Sequence, residues 1–153
     1  MYKIRPITRF EYSWITSETL HTLFSQLTDS VLLPENQFRQ WYDEMHETPC
    51  FTLFGVMASP EKYPKLIGVG TLWIQPKYYR NNGKSGHIED IIIDKDHRKQ
   101  GLGKRLVQHI IQYAKENGCY KVQLHCNPEK QSFYEQMAFK NNTKSMAIYF
   151  KDG

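Results

Sequence analysis

Ile93-Asp94-Lys95-Asp96-His97-Arg98-Lys99-Gln100-Gly101-Leu102-Gly103 is the stretch that decides the fold. Before it, the apolar run from Ile88 to Ile93 reads as a buried strand. After it, Leu102, Leu106, Ile110 and Ala114 recur every four residues, and Val107 and Ile111 widen the stripe. That spacing predicts a helix packed on a sheet. The turn between them carries Arg98-x-x-Gly101-x-Gly103. The first turn of a helix holds N–H groups without intrahelical partners, and the macrodipole puts partial positive charge there. Glycine lets a bulky phosphate come close to the backbone. Strand, glycine turn and helix N-terminus together predict an anion site for a phosphate-bearing ligand.

Toward the N-terminus, Phe51–Ala58 and Leu66–Gln75 read as two antiparallel strands joined by the proline-containing Ser59–Lys65 loop. Tyr2–Pro6 reads as a first strand. Ser17 or Thr19 is expected to cap a helix carrying Leu20, Leu23, Phe24 and Leu27. A second helix follows Pro34, with Phe38, Trp41, Tyr42 and Met45 on one face; most of these aromatics are expected in the core. Asn81-Asn82-Gly83-Lys84 is a turn into the strand His87–Asp94. Asn117-Gly118 ends the long helix through a left-handed C-cap. Tyr120–Cys126 is the next strand, Glu129–Met137 a short helix, and Phe139 and Met146–Phe150 the closing strands. No repeat or linker divides the chain, so residues 1–153 are read as a single α/β domain with one mixed sheet.

Composition excludes several classes. The chain is 40% hydrophobic and 24% charged, ordinary for a soluble globule. It holds no run of about 18 apolar residues, so a membrane span is not expected. Met1-Tyr2-Lys3-Ile4-Arg5-Pro6 lacks the apolar segment of a signal peptide. Three cysteines, Cys50, Cys119 and Cys126, lack metal-ligand spacing, and a reduced cytoplasmic protein without a metal is expected. The net charge of +4 is concentrated between Lys95 and Arg105 without interleaved aromatics. A phosphate-bearing small molecule explains it better than nucleic acid.

The loop is not a P-loop, whose Gly-x-x-x-x-Gly-Lys-Ser/Thr spacing is absent, nor a dinucleotide fingerprint. Arg98, Gly101 and Gly103 instead resemble the Gln/Arg-x-x-Gly-x-Gly/Ala pyrophosphate loop of the GNAT N-acetyltransferase superfamily. His87-Ile88-Glu89-Asp90-Ile91 before it and Gly118-Cys119-Tyr120-Lys121-Val122 after the helix are similar to glucosamine-6-phosphate N-acetyltransferases, which read Gly-His-Ile-Glu-Asp-Ile and Gly/Asn-Cys-Tyr-Lys-Ile there. The resemblance spans nearly the whole chain. It implies the GNAT fold, a central, mostly antiparallel mixed sheet flanked by helices. The reaction it implies is acetyl transfer from acetyl-CoA to the 2-amino group of D-glucosamine 6-phosphate, feeding UDP-N-acetylglucosamine synthesis. A homodimer with shared active sites is implied as well.

Residue by residue, the resemblance assigns acetyl-CoA to Ile91, Ile92, Ile93, Arg98, Lys99, Gln100, Gly101, Leu102, Gly103, Lys104, Lys130 and Tyr134. The sugar phosphate falls to Thr28, Lys77, Arg80, Glu89, Asp90, Tyr120 and Lys121. Tyr134, Asp90 and His125 form the implied catalytic set. A phenol of pKa about 10 can donate to a departing thiolate of pKa about 8.5 while staying protonated at neutral pH. If the sugar amine resembles an α-amino group, freeing it of its proton at pH 7 costs only about 1.4 kcal/mol, so a weak base suffices. A backbone N–H from the Ile91–Ile93 strand would stabilise the oxyanion. Covalent catalysis through Cys126 is the less expected route, because a strand cysteine without an activating partner is usually inert. Glu89 and Asp90, being adjacent on a strand, are expected to face opposite ways.

This sequence also departs from the family pattern. His125 stands where some members have a carboxylate, Lys130 replaces an asparagine, and Lys99 and Ala138 replace glycines. Tyr149 stands at the place of a phosphate-binding arginine, for which Lys151 or Arg80 would compensate. The alternatives are an acetyltransferase for another amine (a polyamine or a protein lysine) and a non-catalytic acyl-CoA-binding module.

Overall fold

The computed structural model describes residues 1–58 and 64–150. One five-stranded sheet runs in the order β1-β2-β3-β4-β5. The strands are β1 (Tyr2–Pro6), β2 (Phe51–Ala58), β3 (Lys65–Pro76), β4 (Lys84–Ile93) and β5 (Cys119–Gln123). The first three pairings are antiparallel and β4–β5 is parallel. This is the mixed, mostly antiparallel α/β sheet that the sequence predicts. A parallel pair needs a crossover, and the helix Leu102–Glu116 supplies it.

Helices α1 (Ser17–Phe24) and α2 (Glu35–Glu47) cover one face, where Leu20, Leu23, Phe38 and Tyr42 pack on Leu53, Met57, Val69 and Ile92. Helix α3 (Leu102–Glu116) covers the other, with Leu106, Ile110 and Ala114 against Phe54, Leu72, Ile88 and Ile93. Burial on both sides explains why β2 and β3 read as continuous apolar runs rather than as alternating ones. Helix α4 (Gln131–Glu135) is short and follows a 3-10 turn, Pro128–Lys130.

Several boundaries differ from the sequence reading. Thr16, not Ser17 or Thr19, caps α1, its hydroxyl accepting from Thr19 N–H; Ser17 lies inside the helix and donates to the Leu33 carbonyl. Leu27 falls beyond the end of α1 and is half exposed. A 3-10 turn, Arg9–Ser13, has no apolar period to announce it; Glu11 and Thr8 close it as a capping box. β4 begins at Lys84 and ends at Ile93, leaving Asp94 to cap the turn Lys95–His97 through a bond from Asp96 N–H. β5 stops at Gln123, so His125 and Cys126 are exposed residues of the following segment, not strand residues. The closing strands expected at Phe139 and 146–150 do not form, and residues 140–150 run without regular structure. Of the Ser59–Lys65 loop, residues 59–63 lie outside the described residues.

Candidate active site

The phosphate loop is built as its residues dictate. Gly101 takes φ +74, in the left-handed region, and its carbonyl accepts the first bond of α3 from Arg105 N–H at 3.0 Å. A Cβ there would meet nothing within 4 Å, so the position needs conformational freedom rather than space. Lys99 is also left-handed, at φ 62. No acidic residue lies in the first turn of α3, where Lys104 and Arg105 are exposed. The dipole, the free N–H groups and these cations fit a pyrophosphate. Arg98 is braced, its Nε donating to the Ile93 carbonyl at 2.8 Å.

β4 leads into this loop with one edge open. It pairs with β5 only over Lys84–His87, so among the described residues the β5-facing edge beyond His87 has no strand partner. Its ladder with β3 is shifted between Val69 and Thr71, which pair with Ile92 and Glu89, leaving Asp90 and Ile91 opposite Gly70 alone. This is a β-bulge, and Asp90 sits in it at φ 54. Ile88 and Ile91 consequently both pack toward α3. Glu89 acts electrostatically on both His87 and Asp90, so the carboxylates are close neighbours at the bulge. The Asp90 carboxyl lies at the surface, yet surrounding protein withdraws enough water to raise its pKa, and the Glu89 charge raises it further.

His87 stands among Lys77, Glu89, Lys121 and His125, all close enough to act on it electrostatically. Burial first, then Lys77, lowers the His87 pKa, so the imidazole is neutral at pH 7. Its Nδ1 faces the Gln123 amide at 3.2 Å, its ring lies against Trp73, and its Nε2 is enclosed without a hydrogen-bond partner. The family resemblance assigns His87 no role. Its two-residue spacing from Glu89 on a strand was the available signal.

A second basic group forms at Tyr120. The Arg80 guanidinium lies 5.5 Å and the Lys121 ammonium 5.9 Å from the Tyr120 ring. Arg80, Asn81 and Asn82 are consecutive left-handed residues at φ 58, 53 and 57. Gly83 lets this turn press on β5, because a Cβ there would meet the Arg80 carbonyl at 2.9 Å and the Tyr120 ring at 3.1 Å. Lys77 is held from below, with its ammonium on Gln75 Oε1 and its N–H on the Gly83 carbonyl.

Tyr134 projects from α4 between Phe133 and Phe139, ring centroids 5.0 and 5.8 Å away. It lines a cleft of about 570 Å³ with Lys121, His125 and Cys126. Burial, then the nearby Cys126 thiol, raises its pKa and keeps the phenol protonated. Lys130 is exposed at the start of α4, away from regular strand structure. Thr28 lies on the turn after α1, its N–H on the Phe24 carbonyl. Among the described residues, no group of three His, Cys, Asp or Glu is placed to hold a metal ion, and no helix is long and apolar enough to cross a membrane.

Known proteins share this fold. The Acetyltransferase (GNAT) family matches residues 14–139. Glucosamine 6-phosphate N-acetyltransferase 1 of Oryza sativa subsp. japonica is 32% identical over 149 residues, covering 97% of this chain and 87% of its own. Glucosamine 6-phosphate N-acetyltransferase of Arabidopsis thaliana is 34% identical over 128 residues, covering 84% of this chain and 85% of its own. The crystal structure of the Arabidopsis thaliana enzyme superposes with a TM-score of 0.84 at 30% identity, over 99% of each chain. The phosphate loop, the bulged open strand and the extent of these matches agree: this chain belongs to the GNAT acetyltransferase family, and its resemblance within that family is to the glucosamine 6-phosphate N-acetyltransferases.

Proposed function

We propose that this protein transfers the acetyl group of acetyl-CoA to the 2-amino group of D-glucosamine 6-phosphate, a step toward UDP-N-acetylglucosamine. The observation that carries the reading is the meeting, along one strand, of a glycine-turn helix N-terminus, an open backbone edge and a group of Glu89 with the cations Lys77 and Lys121 around His87. The names of the similar enzymes from rice and Arabidopsis support the choice of amine.

Bound acetyl-CoA supplies a thioester, and the rest of the chemistry belongs to the chain. The N–H groups opening α3, with Lys99, Lys104 and the braced Arg98, hold the diphosphate. Backbone groups of Ile91, Ile92 and Ile93 line the open edge where the pantetheine arm would lie. One of these N–H groups is suited to hold the negative charge that develops on the carbonyl oxygen. Lys77, Arg80, Tyr120 and Lys121 offer charge-assisted bonds to the sugar phosphate; with Tyr149 largely exposed, Arg80 takes the part of the missing arginine, and Lys151 lies outside the described residues. Asp90 with its raised pKa is a better proton acceptor than an ordinary aspartate. Thr28 and Glu89 bind sugar hydroxyls, and His125, which lines the same cleft as Tyr134, serves as a further proton carrier. The Tyr134 phenol, kept protonated, donates to the departing sulfur.

We also propose a cytoplasmic homodimer with shared sites. Met146, Ile148, Tyr149 and Phe150 are each more than four-fifths exposed, an apolar stretch that a second copy would cover.

The deciding experiment follows CoA release with a panel of amines. Glucosamine 6-phosphate should be acetylated with a kcat/KM at least tenfold above that of glucosamine, polyamines or a lysine peptide. Equal activity on glucosamine and its 6-phosphate would overturn the phosphate assignment. Sedimentation of a fully active monomer would overturn the shared-site dimer.

A further inference from the structure

One amide oxygen joins the turn after α1 to the phosphate loop. Gln26 Oε1 accepts from the Lys95 backbone N–H at 2.8 Å and from Arg98 Nη2 at 3.0 Å. These bonds reach across 69 and 72 residues of sequence. Both lone pairs of the amide oxygen are thereby used, one by a charged donor.

Gln26 itself is firmly held. Its N–H donates to the Leu23 carbonyl at 3.0 Å, and the N–H groups of Leu27 and Thr28 donate to the Phe24 carbonyl at 2.9 and 3.1 Å. Residues 26–28 therefore form one closed turn continuing α1. On the loop side, Arg98 Nε is fixed to the Ile93 carbonyl, so the guanidinium is pinned at two points, the end of β4 and Gln26. A guanidinium is planar with five donors in a fixed fork, and two anchors set the direction of the rest. With the Gln26 acceptor gone, one anchor remains, and both the arginine and the Lys95 backbone become free to rotate out of register. These bonds lie at the surface. Their loss therefore costs little folding stability, and the consequence falls on geometry.

We propose that Gln26 is a positioning residue for the donor site, setting the phosphate loop in its anion-binding geometry through Arg98 and Lys95. This rests on the reading of the loop as the diphosphate site of acetyl-CoA. It assigns function to a residue outside the loop motif and ties the loop to the turn that carries Thr28.

The test compares two acetyl donors, acetyl-CoA and S-acetylpantetheine, which lacks the diphosphate. Gln26→Leu should raise the KM for acetyl-CoA about tenfold, the loss of one charge-assisted bond, and leave kcat/KM for S-acetylpantetheine unchanged. Gln26→Glu keeps the acceptor oxygen, and so should restore loop geometry and recover part of the loss. The double variant Gln26→Leu/Arg98→Leu should lose less than the product of the two single losses, because with Arg98 gone only the Lys95 bond to Gln26 remains to be broken. Equal losses with both donors, or additive losses in the double variant, would overturn the proposal, as would an unchanged KM for acetyl-CoA. Failure of the wild-type chain to transfer acetyl from either donor would instead overturn the functional reading itself.

Discussion

Ile88 and Ile91 pack toward the same helix although their positions on one strand differ by three, an odd number. Period-two alternation forbids that in a regular strand, and the bulge at Asp90 makes it possible. The bulge keeps the Asp90 carboxyl within reach of the Glu89 charge and leaves Asp90 and Ile91 opposite Gly70 alone in the β3 ladder. Both consequences follow from a single left-handed residue.

Asp90 should therefore trade stability for function. Its folded pKa is raised above the ordinary 3.8, so its favourable contribution is complete only below the unfolded pKa and is lost as pH rises through the folded one. At neutral pH the charged carboxylate opposes folding. Asp90→Asn removes the charge and keeps a side chain that tolerates positive φ. It should raise the melting temperature at pH 7 and lower kcat. Asp90→Val puts a β-branched residue in the left-handed region and should cost about 1–3 kcal/mol. Thermal melts and steady-state rates on both variants check this; a lower melting temperature for Asp90→Asn would contradict it.

The two positions at which the family resemblance implies glycine, Lys99 and Ala138, both have positive φ, 62 and 67. The backbone keeps the glycine conformation and the side chain bears the strain. Left-handed geometry costs an L-residue roughly 1–2 kcal/mol, and glycine returns about 0.4–1 kcal/mol of that as unfolded-state entropy. Ala138→Gly should thus stabilise the protein by roughly 0.5 kcal/mol, and Ala138→Val should destabilise it by more than about 1 kcal/mol. Urea unfolding measures both.

These positions show where sequence reading reaches its limit. The loop, the α3 stripe and the Asn117-Gly118 stop are legible because each is a local pattern with a local cause. The bulge is not: Ile-Glu-Asp-Ile looks like an alternating strand, and only the packing of Ile91 against α3 selects the irregular register. His87 and Gln26 were equally silent, since their roles depend on partners brought from other parts of the chain. The closing strands failed for a related reason. An apolar stretch has strand propensity at 146–150, but a strand needs a neighbour, and propensity does not supply one.

Acid should loosen the N-terminal segment first. Glu11 accepts from Arg5 Nη1 at 2.8 Å and from Thr8 N–H at 2.7 Å, joining β1 to the following turn. Burial acts to raise its pKa, but the Arg5 and Thr8 bonds outweigh it and leave the pKa below the ordinary 4.5. A depressed carboxylate contributes stability that is present above the unfolded pKa and lost as pH falls through the folded value. Stability should therefore decline below about pH 4.5, and Glu11→Gln should flatten that part of the profile while lowering stability at pH 7. Denaturant titrations from pH 3 to 7 would show it; an unchanged acid limb would remove Glu11 as its source.

Tyr134 and Cys126 are neighbours in the cleft, and their roles separate by substitution. If the phenol protonates the departing sulfur, Tyr134→Phe should lower kcat by about 10²-fold or more with acetyl-CoA binding unchanged. Because its pKa is already raised, Tyr134 should contribute no alkaline fall in rate below pH 10. Cys126 is exposed beyond the end of β5 and direct transfer needs no bond from its sulfur to the acetyl group, so Cys126→Ser should retain most of the rate. The thiol nevertheless raises the Tyr134 pKa. In Cys126→Ser the phenol should titrate slightly lower, which a spectrophotometric tyrosinate titration detects. A large loss of kcat in Cys126→Ser, or a trapped acetyl-cysteine, would replace direct transfer by a covalent route through that sulfur.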